Sequence, residues 1–142
     1  MINTILYIVF FGFFFLIWQR MRTTATKNKT WLALLSTYKT EETPQSLSGT
    51  YLEIINLYFD EDLMERIYKF YNTPKGLLIT LRRDFFIKQS VLIPWNAIEP
   101  TKLNNNRMLA TMQCLKVANA EAAKIEITRG DYIQHIRNHL DA

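Results

Sequence analysis

Hydropathy divides the chain into one long apolar run and a longer stretch in which apolar positions recur at short periods. The run covers residues 2–18, contains no charged side chain and is rich in Phe. With Met1, about 18 residues at roughly 1.5 Å rise give about 27 Å of helix, which crosses a hydrocarbon core with little to spare. Its lipid-facing candidates are Ile5, Leu6, Ile8, Val9, Phe10, Phe11, Phe13, Phe14, Phe15, Leu16, Ile17 and Trp18. Trp18 falls where an interfacial aromatic would sit. Enclosing an all-round apolar helix within a soluble core would take a larger domain than the rest of the chain can build.

Beyond the run the pattern changes several times. Residues 23–30 turn polar, which reads as a short linker or as a frayed extension of the anchor. Trp31, Leu34, Leu35 and Tyr38 then recur at helical spacing, with Asn28 or Thr30 available as N-cap, and predict a short amphipathic helix over 31–38. Pro44, Ser46, Ser48 and Gly49 mark 41–49 as a loop. Tyr51, Ile54, Ile55, Leu57, Tyr58 and Phe59 are the β-branched and aromatic types of a strand, punctuated by Asp60, Glu61 and Asp62.

A strand over 66–71, a turn over 72–76 and a partner over 77–81 predict a hairpin, with Gly76 supplying a positive φ. The segment 85–93 reads as a strand stopped by Pro94, which lacks the donor a central strand needs, and Ile98 closes that segment. Asn104, Asn105 and Asn106 predict a turn, and 109–117 and 124–128 predict strands. Gly130 and Asp131 open a C-terminal helix whose Tyr132, Ile133, Ile136 and Leu140 share one face.

Charge changes the picture of the membrane flank. The 142-residue chain has a formal net charge of +4, but the first acidic residue is Glu41, and Arg20, Arg22, Lys27, Lys29 and Lys39 all precede it. The remainder carries 12 basic and 13 acidic residues, a net of −1. The basic balance therefore reports a membrane flank rather than a nucleic-acid face. Arg20 and Arg22 fall at headgroup level, with Lys27 and Lys29 just beyond, so the positive-inside bias puts the C-terminal part in the cytoplasm. A secretory leader would carry its basic residues ahead of the apolar run. The lone Cys114 can form no internal disulfide, in keeping with a reducing compartment.

The order of elements, several short strands and then one amphipathic helix, is that of a pleckstrin-homology-like barrel. Three motifs extend the likeness: Trp31-x-x-Leu34-x-x-x-Tyr38 after an anchor, Gly76-Leu77-Leu78, and Leu92-Ile93-Pro94-Trp95-Asn96-Ala97-Ile98. With these the chain resembles a group of uncharacterised small bacterial membrane proteins that pair one N-terminal transmembrane helix with a PH/GRAM-like domain. The resemblance implies an α+β, mainly β fold, a transmembrane helix followed by a small PH-like β-barrel or sandwich with a C-terminal helix. It also implies binding rather than chemistry, with no cofactor, and an inner-membrane location. The acidic stretch at 60–62 departs from that pattern. The expected organisation is an anchor and basic flank over 1–22, a linker with the short helix over 23–48, and the β domain over 49–142.

Candidate chemistry is sparse. His135 and His139 lie four apart on the last helix, but no third ligand is spaced to join them in a metal site. Asp60, Glu61 and Asp62 lack the Gly and distal Glu of a calcium loop and read as a solvated turn. Cys114 has no His near it in sequence to activate it and reads as a small buried hydrophobe. Trp95, directly after Pro94, reads as a core plug. Trp31 and Tyr38 can rest among headgroups or pack on the domain, and both alternatives stay open. Lys69, Lys75, Arg82, Arg83 and Lys88 are the basic residues available for a binding surface toward acidic headgroups. These features predict a non-enzymatic, membrane-anchored binding or adaptor module that meets a protein partner or the lipid surface, with a lipid-headgroup sensor as the first alternative, an enzyme of unrecognised class as the second, and no nucleic-acid partner.

Overall fold

The computed structural model describes residues 1–54, 56–60, 62–64, 67–107 and 110–140, with the backbone alone at 84, 106 and 107. Helix α1 (Ile2–Lys27) runs unbroken for 26 residues, about 39 Å at 1.5 Å per residue. Residues 23–27 thus continue the apolar helix instead of forming a linker. They hold helical form because the last turns have a surface to dock on: Ala25 is fully buried, and Trp18 and Met21 pack against the same core. Asn28 ends the helix in an extended conformation (φ −62°, ψ 132°). Its side-chain oxygen accepts from the Trp31 amide at 3.1 Å and so caps helix α2 (Lys29–Tyr38).

Two antiparallel sheets follow. One has the order β1-β4-β5-β6, with β1 (Thr50–Leu52), β4 (Tyr68–Thr73), β5 (Gly76–Leu81) and β6 (Ser90–Ile93). The other has the order β3-β2-β9-β8-β7, with β2 (Tyr58–Phe59), β3 (Asp62–Leu63), β7 (Ile98–Arg107), β8 (Ala110–Val117) and β9 (Ile125–Thr128). The C-terminal helix consists of α3 (Arg129–Asp131), a π-helical turn (Tyr132–Ile136) and α4 (Arg137–Leu140). Thr128 caps it, its hydroxyl accepting from the Asp131 amide at 3.2 Å. The fold is α+β and mainly β.

Several elements depart from the sequence reading. The strand expected over 51–59 is divided, because the chain crosses from one sheet to the other: β1 pairs with β4, whereas β2 pairs with β9. Ile55, Arg66 and Leu109, which fell in expected strands, lie outside the described residues. The strand expected from Phe85 begins only at Ser90, since a 3-10 turn (Arg83–Phe85) buries Phe85 and reverses the chain at Phe86. Ile98 opens β7 instead of closing the segment before it. The three asparagines belong to β7, not to a turn; β7 lies at the edge of its sheet, and register shifts after Pro100 and Asn104 interrupt its pairing. An edge strand tolerates both the missing Pro donor and such irregularity.

Gly76 supplies the positive φ expected of it (158°) and is needed for space as well, since an added Cβ would lie 2.2 Å from the Ile93 carbonyl oxygen. Ile133 is 41% exposed, because the π turn carries Tyr132 and Ile136 inward and leaves Ile133 outside.

The core fills the space between the sheets. Leu57, Phe70, Ile79, Ile93, Leu115 and Ile127 face one another there, with Ile136 closing one side. The remaining void is about 10 Å³, at the lower limit for a single water.

The joint between α1 and the domain generates the first prediction. The Tyr68 hydroxyl donates to the Ala25 carbonyl at 3.0 Å, and a chain beginning at Thr23 keeps that acceptor while one beginning at Lys27 removes it. Both should be β-rich by circular dichroism. In urea the shorter chain should be weaker by about 1–3 kcal/mol, the cost of a buried donor left unmade. Equal midpoints would mean that the joint contributes nothing.

Candidate membrane-contact surface

Where α1 meets the domain, polar groups that would otherwise be stranded are paired. Burial pushes the Tyr68 phenol well above its ordinary range, and the Asp62 carboxylate adds to the push. Tyr68 therefore stays neutral and serves as a hydrogen-bond donor. Its ring lies 4.6 Å from Trp31 and 5.1 Å from Phe59. Trp31 is fully buried and its indole N–H donates to Gln89 Oε1 at 2.9 Å. Tyr38 is half-buried, and its hydroxyl donates to the Ala118 carbonyl. Of the two alternatives the sequence left open for Trp31 and Tyr38, packing on the domain is the one realised.

The acidic stretch serves the same joint. Asp60 Oδ2 accepts from the Thr30 amide at 3.2 Å and from its hydroxyl at 3.0 Å. This sets a carboxylate at the first turn of α2, where the helix dipole favours a negative charge. Asn28 Nδ2 donates to Asp62 Oδ2 at 2.9 Å and to the Phe59 carbonyl at 3.0 Å. Asp60 and Asp62 are structural acceptors, a role the reading as a solvated turn missed. The only signal available was the cap at Asn28, which says nothing about a partner 34 residues away.

Beside the joint, the segment between β5 and β6 folds against α1. Arg22 Nε donates to the Phe85 carbonyl at 3.0 Å, so one of the residues expected among headgroups also ties helix to domain. Phe85 is fully buried, its ring 6.0 Å from Trp18, with the Arg82 guanidinium 5.6 Å from its centre. Phe86 follows in the left-handed region (φ 57°, ψ 21°). It is 87% exposed, with its ring 6.4 Å from Trp18. Among the described residues Ser48, Asp60 and Asn119 are the other non-glycine residues at positive φ, and Asp and Asn adopt that region at low cost. For a bulky side chain it costs about 1–2 kcal/mol.

The predicted site residues fall into groups. Ile5, Leu6, Ile8, Val9, Phe10, Phe11, Phe13, Phe14, Phe15, Leu16 and Ile17 are between 40% and 67% exposed, and Trp18 is the first to be partly covered. Arg20, Lys27 and Lys29 are exposed. Arg82, Arg83 and Lys88 lie in the segment against α1, while Lys75 lies in the turn at the far end of the β4–β5 hairpin. About five residue steps at 3.3 Å separate the two ends, roughly 17 Å. Lys69 projects from the middle of β4 and is exposed. These residues do not form one patch; the group beside α1 is the coherent one.

At the far end, Trp95 is half-buried. Its indole N–H donates to the Thr73 carbonyl at 2.9 Å, and it stacks on His139 at 4.2 Å and 10°. His139 Nε2 meets Asn72 Nδ2 at 2.8 Å. Trp95 is thus a clamp between the hairpin turn and α4, not the core plug expected. Among the described residues no three of His, Cys, Asp and Glu come together as metal ligands. Cys114 is half-buried on β8.

No protein-family model, curated protein or solved structure matches the chain.

The clamp role sets the size of the Trp95 effect. Trp95→Ala should cost about 2 kcal/mol, below the 3–5 kcal/mol of a fully buried aromatic. Trp95→Phe keeps the stack, loses one hydrogen bond and should cost about 1 kcal/mol. Urea titration of the three proteins separates the terms; a Trp95→Ala loss above about 4 kcal/mol would restore the plug.

Proposed function

We propose that this chain is a single-pass membrane protein whose β domain is a non-catalytic binding or adaptor module, held at the cytoplasmic face of a bacterial-type inner membrane. The observation that carries the reading is the two-part character of α1. No residue in its most apolar window is buried within the chain, whereas Ala25, on the same unbroken helix, is part of the core. An exposed apolar surface of that length requires a cover, and its composition matches hydrocarbon. A soluble core helix would bury its apolar window. A cleaved leader would take with it Trp18, whose ring packs on Phe85 and Phe86.

The binding role follows from the scaffold. Residues 50–59 contribute to both sheets, and the C-terminal helix inserts Tyr132 and Ile136 into the core. This arrangement fits the pleckstrin-homology-like barrel of the proteins the sequence resembles. The β2–β3 hairpin falls at the acidic stretch, which accounts for the departure there as an added hairpin. The partner is a protein or the lipid surface itself. A sensor of anionic headgroups is the second reading, favoured by Arg83 and Lys88 beside α1. It predicts that the Arg83 and Lys88 amide resonances shift when phosphatidylglycerol replaces neutral lipid in nanodiscs. Unchanged resonances would leave the protein partner.

Intact protein should stay with membranes through alkaline carbonate, and its mass should retain residues 1–18. A reporter active only in the cytoplasm, fused after Ala142, should work, and one active only outside should stay silent. Release by carbonate, or a mature chain starting beyond Trp18, would overturn the anchor. The opposite reporter pattern would reverse the orientation.

A further inference from the structure

The segment between β5 and β6 contains a feature that the packing of the domain does not require. The 3-10 turn Arg83–Phe85 turns Phe85 into the core, and Phe86 closes it, its amide donating to the Arg83 carbonyl at 3.0 Å. A residue in the left-handed region at that position is ordinarily Gly, Asn or Asp. Here it is a Phe with 87% of its surface exposed. The strain gains little burial inside the chain, where Trp18 is the ring's aromatic neighbour, and most of the ring is left for a contact outside it.

Its location limits what that contact is. Phe86 lies 6.4 Å from Trp18, the residue at which α1 passes from full exposure to partial cover. Residues 2–18 make about 25 Å of helix against a hydrocarbon core of about 30 Å. A span that is slightly short draws the flanking surface into the interface rather than holding it off. Arg83 and Lys88 flank the ring in sequence, both exposed, with the sign that anionic headgroups attract. An apolar tip set among basic groups is the composition of a segment that enters the headgroup and acyl boundary.

We propose that Phe86 is a hydrophobic wedge that enters the bilayer beside α1, giving the domain a second membrane contact that fixes its tilt. This rests on α1 spanning the membrane, and it commits the exposed loop to lipid instead of a protein partner.

The test uses the full chain with Cys114→Ala, in vesicles of phosphatidylcholine and phosphatidylglycerol. Nitroxide labels are attached singly at Phe10→Cys, Lys88→Cys and Lys75→Cys. Collision with oxygen, which concentrates in lipid, is compared with collision with a water-soluble nickel complex. The label at 10 should be deep, the label at 75 aqueous and the label at 88 interfacial. Phe86→Asp should move the label at 88 toward the aqueous value and leave the label at 10 unchanged. Phe86→Gly, which also relieves the left-handed strain, should do the same without lowering the melting temperature.

A label at 88 as aqueous as the one at 75, or unmoved by both substitutions, overturns the wedge while leaving the anchor in place. Shielding of that label from both reagents overturns it in favour of a protein contact. An aqueous label at 10 overturns the anchor and the wedge together.

Discussion

The fully buried Ala25, on the last turns of an otherwise exposed helix, constrains everything around it. Its carbonyl accepts the Tyr68 hydroxyl, Tyr68 packs on Trp31, and Trp31 donates to Gln89. A small residue is required where helix and domain approach this closely, and a neutral phenol is required to pair a carbonyl that water cannot reach. Burial keeps that phenol neutral. Asn28 then breaks the helix within the joint while its side chain satisfies groups on α2, β2 and β3. Helix and domain are thereby one packed body, not a domain on a tether.

This joint has geometric consequences for the proposed role. A flexible linker would let the domain sample many attitudes above the bilayer, and its binding surface would face any direction. A packed joint transmits the tilt of α1 to both sheets, so the segment beside Trp18 keeps a constant distance from the membrane. The near-neutral balance beyond residue 40 gives the domain little overall attraction to anionic lipid. On the proposed reading, orientation depends on local chemistry at Arg83, Phe86 and Lys88. At the opposite end Trp95 clamps the hairpin turn to α4.

Local pattern made much of this legible in the sequence. The apolar run, the α2 spacing, the β4–β5 hairpin, the stop at Pro94 and the last strand follow from periodicity and turn chemistry, which act over a few residues. What escaped depends on long-range contacts. The crossing of residues 50–59 between sheets looks like one strand, since the residue types suit a pleated surface throughout. The asparagines of β7 carry turn chemistry, yet an edge position accommodates them. Asp60 and Asp62 read as solvated because their partners, Thr30 and Asn28, are some thirty positions away. Phe85 and Phe86 read alike as strand core, and only the sign of a backbone angle sends one inward and the other out.

Amide hydrogen exchange of the full chain in lipid nanodiscs tests the packed joint most directly. If α1 enters the domain as one body, the amides of residues 22–27 exchange as slowly as those of Trp31 and Leu34, which lie in the same core. Rapid exchange across 22–27, with α2 still protected, would mean that the helix ends at the membrane and the domain hangs from a linker.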